Sequence, residues 1–208
     1  LDLVVAIIAL VITSPVMLVI AIAIKAYDGG PVFFVQDRCT INGKVFKIHK
    51  FRSMIENAEK DGEVIPATDD DARITPVGKI IRKTRLDELP QFFDILIGNM
   101  SVVGPRPERV EHVEKYVEEV PEFTYRMKVK GGLTGYAQIY GKYNTTAYDK
   151  LKLDLTYIRN YSFFLDLKLM IMTPKIMLMK ESSEGVIEHD ASLQKQEIAA
   201  AKMDIKIK

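Results

Sequence analysis

The longest hydrophobic run of the chain lies at its start, where residues 3–24 contain no charged side chain. At ~1.5 Å per residue, a helix of this length crosses a hydrocarbon core, so the pattern predicts a membrane helix. Pro15 interrupts the run and predicts a sharp bend, because proline has no N–H to donate to the Val11 carbonyl and its ring crowds that oxygen. The neighbouring Thr13 and Ser14 hydroxyls are placed to satisfy the freed carbonyl.

Two topologies are compatible with such a bend. The helix either kinks and still spans the bilayer, or bends back and leaves by the face it entered. Kinked spanning helices are common, so the pattern alone favours spanning. A buried core helix is a weaker alternative, because runs this long and apolar are unusual in soluble cores. Basic side chains outnumber acidic ones between residues 25 and 52, which predicts that this part lies in the cytoplasm.

The rest of the chain alternates between short strand and helix patterns. Two strands are predicted over 32–36 and 45–50, joined by an Asn-Gly turn at 42–43. Helices are predicted over 76–85, 86–97, 107–120 and 148–160. Residues 56–75 are predicted to form a loop or a short helix, and 131–135 a glycine-rich loop. Residues 163–179 are apolar but interrupted, which suits a helix at the membrane surface or in the core.

These elements predict an α+β, mainly helical chain with three parts. Residues 1–24 form the membrane helix, 25–185 a domain at the cytoplasmic membrane face, and 186–208 a tail with weak helical character. The first residue is Leu1 rather than methionine, so we expect the natural chain to begin upstream.

Composition excludes several classes of protein. Lys and Arg total 29 and Asp and Glu total 28, whereas a nucleic-acid binder normally has a basic excess. The single cysteine, Cys39, cannot form an internal disulfide. The three histidines are far apart and lack the spacing of zinc ligands.

The strongest candidate for chemistry is the pair Asp87-Glu88, at the start of a predicted helix. It has a structural interpretation, in which Asp87 caps the helix and Glu88 favours its dipole. It also has a functional interpretation, because arginines and lysines able to hold phosphate surround it in sequence. These are Lys50, Arg52, Arg82, Lys83, Arg85 and Arg106. A carboxylate that attacks a phosphate needs a divalent cation to offset the like charges, so the functional interpretation requires magnesium.

Several long segments, in this order, resemble the bacterial sugar transferases, which are monotopic polyprenyl-phosphate phosphoglycosyl transferases. The resemblance extends from residue 1 to about residue 185. The segments are the Ser14-Pro15 helix, GPVFFVQDR from Gly30, KIHKFRSM from Lys47, RITPVGKIIRKTRLDELPQFFDILIGNMSVVGPRPER from Arg73, GLTGYAQIYG from Gly132, and KLDLTYIRNYSFFLDLKLM from Lys152.

The resemblance implies that the Ser14-Pro15 helix is re-entrant and that amphipathic helices lie at the membrane interface. It implies that Asp87 is the nucleophile of a phosphosugar–enzyme intermediate and that Glu88 completes the dyad beside Mg²⁺, with Mn²⁺ as a substitute. Further residues match positions that bind phosphate or substrate or shape the active site: Lys50, Arg52, Arg82, Arg106 and Asp154.

The implied substrates are a nucleotide sugar, with UDP the suggested nucleotide, and undecaprenyl phosphate or another polyprenyl phosphate. The products are a polyprenyl diphosphate sugar and a nucleoside monophosphate. This reaction is the first membrane step of surface polysaccharide or glycoconjugate synthesis, at the bacterial cytoplasmic membrane. The implied partners are membrane lipid and downstream membrane glycosyltransferases, and a homo-oligomer is compatible with the family. Larger relatives carry further membrane helices and another domain before this region.

Three alternatives remain open on the sequence alone. The chain could be a membrane-anchored scaffold, a membrane kinase or phosphatase, or a peripheral lipid-binding module. A kinase or phosphatase would need a nucleotide-binding loop or another nucleophile motif, and the sequence has neither. The scaffold predicts that Asp87→Asn affects only stability.

Overall fold

The computed structural model describes residues 1–56, 58, 71–141 and 146–177. The predicted tail 186–208, and most of the loop predicted between 56 and 75, lie outside the described residues. The described part is mainly helical, as predicted. Its helices are α1 (Asp2–Asp28), α2 (Pro76–Lys83), α3 (Gln91–Leu96), α4 (Val110–Glu119), α5 (Tyr136–Tyr140), α6 (Ala147–Arg159) and α7 (Phe163–Met177). Its strands are β1 (Phe33–Cys39), β2 (Val45–Phe51), β3 (Ser101–Val103) and β4 (Gly132–Thr134).

Helix α1 continues through Pro15 without a break in helical assignment. The Ser14 hydroxyl donates a hydrogen bond of 2.9 Å to the Val11 carbonyl, which confirms that Ser14 satisfies the carbonyl that Pro15 frees. The Thr13 hydroxyl donates instead to the Ala9 carbonyl, at 2.7 Å. The helix also runs past the apolar segment and ends at Asp28.

Helix α1 is long and apolar enough to cross a membrane, and most of its apolar segment is not buried against the rest of the protein. Both of its ends contact the rest of the protein. The Asp2 carboxylate accepts a hydrogen bond of 3.2 Å from the backbone N–H of Val102. At the other end, Asp28 forms an ion pair with Arg52.

The predicted hairpin is confirmed. Strands β1 and β2 are antiparallel, with Phe33 opposite Phe51 and Cys39 opposite Val45. The turn places Asn42 at φ 57° and Gly43 at φ 71°, a conformation that Asn and Gly adopt most readily. Strand β1 extends three residues further than the predicted 32–36 strand, to Cys39.

The continuous helix predicted over 86–97 is wrong. A 3₁₀ turn, Leu86–Glu88, is followed by the short α3. Pro90 explains the division, because it has no N–H to continue the helical hydrogen bonds. The predicted apolar face is only partly right, since Phe93 and Leu96 are exposed whereas Gln91, Asp94 and Ile95 are buried.

Two further boundaries differ from prediction. Helix α4 begins at Val110 rather than at 107, because Arg109 is extended and the Pro105 and Glu108 carbonyls accept hydrogen bonds from Gly132 and Cys39. The glycine-rich loop contains β4, which pairs in parallel with β3, Ser101 opposite Gly132. Strands this short leave almost no periodicity to detect.

Two clusters of buried side chains form the core, and each takes part of α1. The first contains Ala6 from the start of α1 and packs the hairpin against α3, β3, α5, α6 and α7. The second contains Met17, Ile20 and Ile24, with Phe51 from β2 and Ile81 from α2. The 3₁₀ turn Leu86–Glu88, called the dyad turn below, lies beside the second cluster. Leu86 and Leu89 pack into that cluster on either side of Asp87 and Glu88.

Candidate active site

Asp87 and Glu88 lie together on the buried 3₁₀ turn between α2 and α3, with 8% and 9% of their surfaces exposed. Arg85 precedes the turn in the left-handed region, at φ 56°, and reverses the chain direction at the end of α2. Neither α3 nor the turn has a side-chain cap, so Asp87 does not cap a helix. The predicted capping role is therefore wrong.

Glu88 is the acceptor for a group of cations. Lys50 Nζ lies 2.8 Å and Arg106 Nη2 lies 2.5 Å from Glu88 Oε1. Arg85 Nη1 is 4.0 Å from the same oxygen. Burial alone would raise the pKa of Glu88, but Arg106 and Lys50 outweigh it and hold that pKa well below its ordinary value. Glu88 therefore stays ionised and fixes two cations beside Asp87.

Asp87 is in the opposite situation. Among the described residues it has no hydrogen-bond or ion-pair partner. Burial raises the pKa of its carboxyl and the Glu88 charge adds to this, while Lys50, Arg82 and Arg85 act against it. Asp87 lies on the 3₁₀ turn rather than at a helix N-terminus, so no helix dipole offsets the cost of burying its charge.

The other predicted site residues are not all near the dyad. Lys50 and Arg106 contact Glu88, and Arg82 lies close enough to lower the pKa of Asp87. Arg52 forms an ion pair with Asp28 at the end of α1 and is itself buried. In this structure Arg52, which follows β2, therefore joins the hairpin to the end of α1.

Asp154 is separated from the dyad by an arginine that sequence reasoning missed. Arg126 Nε lies 2.8 Å from Asp154 Oδ2, and both side chains are almost fully buried. The same guanidinium donates a hydrogen bond of 2.9 Å to the Arg106 carbonyl. Asp154 thus reaches the site only through Arg126. Its position in the buried stripe of α6, with Leu151 and Tyr157, was the one signal that a cationic partner was required.

A second residue that the sequence did not indicate, the acid Glu108, extends this charge network. Its carboxylate accepts a hydrogen bond of 2.9 Å from Lys150 Nζ and lies 4.0 Å from Arg126 Nη1. Burial would raise the pKa of Glu108, but Lys150 and Arg126 reverse the effect and lower it to about 2. Buried ionised groups therefore extend from the dyad turn to helix α6.

Asp94 and His49 form a further contact between α3 and β2. Asp94 Oδ2 accepts a hydrogen bond of 2.9 Å from the His49 backbone N–H. His49 Nδ1 lies 2.7 Å from Asp94 Oδ1. Because His49 adjoins Lys50 and Asp94 is carried by the helix after Glu88, this contact fixes the two segments that meet at the dyad.

The site has a limited capacity for metal. No group of three His, Cys, Asp or Glu side chains with metal-binding spacing occurs among the described residues. Magnesium commonly takes one or two carboxylates together with substrate phosphate oxygens. The unpaired Asp87 carboxylate fits that donor set, whereas Glu88 would have to release one of its cationic partners to join it.

A family model described as bacterial sugar transferase matches residues 1–180. A UDP-glucose:undecaprenyl-phosphate glucose-1-phosphate transferase of Klebsiella pneumoniae is 48% identical over 177 residues, 83% of this chain. A UDP-N-acetylgalactosamine-undecaprenyl-phosphate N-acetylgalactosaminephosphotransferase of Aeromonas hydrophila is 43% identical over 180 residues, 85% of this chain. An uncharacterized sugar transferase, EpsL, of Bacillus subtilis (strain 168) is 39% identical over 180 residues, 86% of this chain.

The lengths of these relatives differ. The matched part covers only 38% of the Klebsiella pneumoniae protein and 42% of the Aeromonas hydrophila protein. It covers 86% of the Bacillus subtilis protein. The sugars in the names of the first two relatives also differ, although their identities to this chain are similar.

Proposed function

This chain belongs to the bacterial sugar transferase family, and we propose that it transfers a sugar phosphate from a nucleotide sugar to undecaprenyl phosphate. The nucleotide in this proposal is UDP, because the relatives in Klebsiella pneumoniae and Aeromonas hydrophila are named for UDP-sugars. The products are undecaprenyl diphosphate sugar and UMP. We place this reaction at the first membrane step of surface polysaccharide or glycoconjugate synthesis.

The observation that carries the proposal is the contrast between the two dyad carboxyls. Glu88 is neutralised by Lys50 and Arg106, whereas Asp87 is buried and unpaired within the described residues. A scaffold would have no use for a buried carboxyl that caps nothing, because its desolvation costs stability. A nucleophile, by contrast, must be unpaired before the substrate binds. The substrate diphosphate and its divalent cation then supply the charge that Asp87 lacks in the free protein.

The chemistry we propose has two displacements. A carboxylate oxygen of Asp87 attacks the phosphorus that bears the sugar, the bond to the bridging oxygen breaks, and UMP leaves with that electron pair. An oxygen of undecaprenyl phosphate then attacks the same phosphorus, and the acyl-phosphate bond breaks to restore the Asp87 carboxylate. The cations on Glu88 counter the charge that builds on the phosphoryl oxygens.

Magnesium, with manganese as a substitute, fits this site through Asp87 and the diphosphate oxygens. Bound there, it would withdraw charge from the phosphate and so lessen its repulsion of the carboxylate. Arg106 and Lys50 stay on Glu88 in this arrangement and orient the substrate from the other side. Arg82, carried by α2, adds positive charge beside Asp87.

We propose further that α1 is re-entrant, with the catalytic part on the cytoplasmic face of the bacterial membrane. Two contacts support this. Asp2 and Asp28, at opposite ends of α1, each bind the same folded unit, through Val102 and Arg52. A straight spanning helix would place its two ends on opposite faces of the bilayer.

Exposed apolar side chains mark the surface that we propose rests on lipid, with α3 and α7 at the membrane interface. A soluble surface rarely carries so many large apolar groups together. They are Phe93, Leu96 and Ile97 at the end of α3, and Phe163, Phe164, Leu167 and Ile171 on α7.

A substrate screen tests the proposed function. The purified chain is incubated in lipid nanodiscs with Mg²⁺, undecaprenyl phosphate and one UDP-sugar at a time, starting with UDP-glucose, UDP-galactose and UDP-N-acetylgalactosamine. We expect UMP release with at least one sugar, and none with the Asp87→Asn variant. Asp37→Asn is the matched control, because Asp37 is an exposed aspartate that forms an exposed ion pair with Lys47. Equal UMP release by wild type and Asp87→Asn would reject the proposal.

A further inference from the structure

The segment 105–108, which carries Arg106, is held by hydrogen bonds from other elements of the fold. Its four consecutive carbonyls, from Pro105 to Glu108, each accept a hydrogen bond from another element. The donors, in order, are Gly132 N at 2.9 Å, Arg126 Nη2 at 2.9 Å, Arg38 Nη1 at 3.2 Å and Cys39 N at 2.9 Å. Two donors are backbone amides, and the two at the centre are guanidinium groups.

The sequence explains why the segment needs external donors. Pro105 and Pro107 flank Arg106 and have no N–H, so neither can donate a hydrogen bond to continue the short β3 ladder. Buried carbonyls must be satisfied, and here the neighbours supply the hydrogen bonds. The Arg106 backbone therefore takes its position from β1 on one side and from Arg126 and β4 on the other.

The two guanidiniums differ in their charge partners. Arg126 is paired with Asp154 and lies near Glu108. Arg38 forms no ion pair with an acid among the described residues, and its second hydrogen bond, of 2.6 Å, goes to the Gln36 amide oxygen. Burial and the nearby Arg106 charge lower the pKa of Arg38 to about 10, so it stays protonated at neutral pH. Burying the Arg38 charge is unfavourable, and the hydrogen bond that Arg38 donates to the Pro107 carbonyl offsets part of this cost.

We propose that Arg38 is a positioning residue for the proposed transfer reaction. Its hydrogen bond to the Pro107 carbonyl holds the Arg106 backbone, and thereby keeps the Arg106 guanidinium on Glu88 and aligned with the substrate phosphate. Arg38 acts through Arg106 and does not itself touch the substrate. The expected effect of Arg38 on turnover rests on the proposed function, whereas its role in holding the Arg106 backbone does not.

A double-mutant cycle tests the effect on turnover. Arg38→Met removes the donors but keeps the apolar stem, and Arg106→Gln removes the guanidinium it is proposed to position. We expect Arg38→Met to lower kcat by about tenfold with little change in KM. In the Arg106→Gln background the same substitution should cost less than about twofold, because its effect passes through Arg106. Losses that multiply would mean that Arg38 acts separately, and would overturn the proposal.

Hydrogen–deuterium exchange tests the structural part without any substrate. The amides of Gly104, Arg106, Glu108 and Arg109 report on the segment. We expect faster exchange there in Arg38→Met and a smaller change in Arg38→Lys, which retains one donor. Unchanged exchange in Arg38→Met would overturn the proposal even if activity fell.

Arg159→Met is the matched control, since Arg159 is an exposed arginine at the end of α6. It should alter neither exchange at 104–109 nor turnover. If wild type releases no UMP from any nucleotide sugar, the proposed function fails, while the exchange comparison still decides whether Arg38 holds the segment. Arg126 is a poorer test, because removing it would leave the buried Asp154 without its ion-pair partner and so disturb the fold itself.

Discussion

Lys50 Nζ lies 2.8 Å from Glu88 Oε1, and both side chains are largely buried. This contact joins the end of strand β2 to the 3₁₀ turn that carries Asp87 and Glu88. Burial lowers the pKa of Lys50, while Glu88 opposes that effect, so each charge makes the other tolerable in the interior. The pair therefore fixes the backbone beside Asp87 as well as supplying a positive charge.

Replacing Glu88 with glutamine should destabilise the fold at neutral pH. The change leaves Lys50 and Arg106 without their shared carboxylate. Breaking a fully buried pair costs about 3–5 kcal/mol, and we expect about 2–3 kcal/mol here because the Arg106 side chain is partly exposed. Denaturant unfolding of both proteins in the same detergent measures the difference.

The pH dependence gives this experiment a signature. The folded-state pKa of Glu88 is lowered, so its stabilisation is present above its unfolded pKa and is lost as the pH falls through the folded value. The gap between wild type and Glu88→Gln should thus shrink in strong acid. A gap that stays constant from pH 7 down to about pH 2 would show that the charge of Glu88 does not stabilise the fold.

Much of the fold follows from local sequence. The Asn42-Gly43 turn specifies its own left-handed backbone, and Thr75 with Pro76 sets the start of α2, where the Thr75 hydroxyl accepts the Gly78 N–H. The continuous helix predicted over 86–97 is wrong because Pro90 separates the 3₁₀ turn Leu86–Glu88 from α3, a division that the spacing of apolar residues does not indicate.

The candidate site was only partly predictable. Asp87 and Glu88 are adjacent in sequence, so no folding information was needed to pair them. Arg126, Glu108 and Arg38 act on the site through contacts that span many residues of chain, and no local spacing indicates them. Their charges also look like ordinary surface charges until the fold shows that they are buried.

Turnover should require a divalent cation. The described residues supply one unpaired carboxylate for it, Asp87, and the substrate diphosphate supplies the other oxygens. Activity should disappear in excess chelator and return with Mg²⁺, more fully than with Mn²⁺. Because the chain has no metal cluster among its described residues, the chelator should leave the melting temperature unchanged. Full UMP release in excess chelator would contradict this.

The Ser14-Pro15 sequence should determine the topology of α1. Replacing it with Leu-Ala restores an N–H for the Val11 carbonyl and removes the cause of the predicted bend, so a straight spanning helix becomes favourable. A Leu1→Cys variant, made with Cys39→Ser, reports the side of the membrane. We expect an impermeant maleimide to label intact cells only when Ser14 and Pro15 are replaced. Val16→Ala is the control, since Val16 is an exposed neighbour within the same helix.

Labelling of the Leu1→Cys protein from outside, with Ser14 and Pro15 unchanged, would reject re-entry. It would also require the Asp2 contact with Val102 to be broken in the membrane. Labelling only after permeabilisation agrees with both ends of α1 lying on the cytoplasmic side.

Asp87 should carry the sugar phosphate covalently during turnover, and two independent measurements test this expectation. A soluble and a membrane-bound substrate can use one site in turn if an intermediate is covalent, which predicts ping-pong kinetics. Without undecaprenyl phosphate, the enzyme should release about one equivalent of UMP and gain the mass of the phosphosugar. Asp87→Asn should abolish both. An adduct mapped by mass spectrometry to any other residue would assign the nucleophile elsewhere.

The fold of Asp87→Asn should remain intact, which separates lost chemistry from lost structure. Folding raises the pKa of Asp87, so the protonated form is favoured in the fold and the ionised form is penalised. The contribution of the protonated group is complete below the unfolded pKa and is lost as the pH rises through the folded value. Asparagine avoids this loss, so the variant should be at least as stable as wild type at pH 7. The difference should vanish in acid, since Asp87 is then neutral in both states. A variant that is less stable at pH 7 would mean that the Asp87 charge is used to hold the fold together.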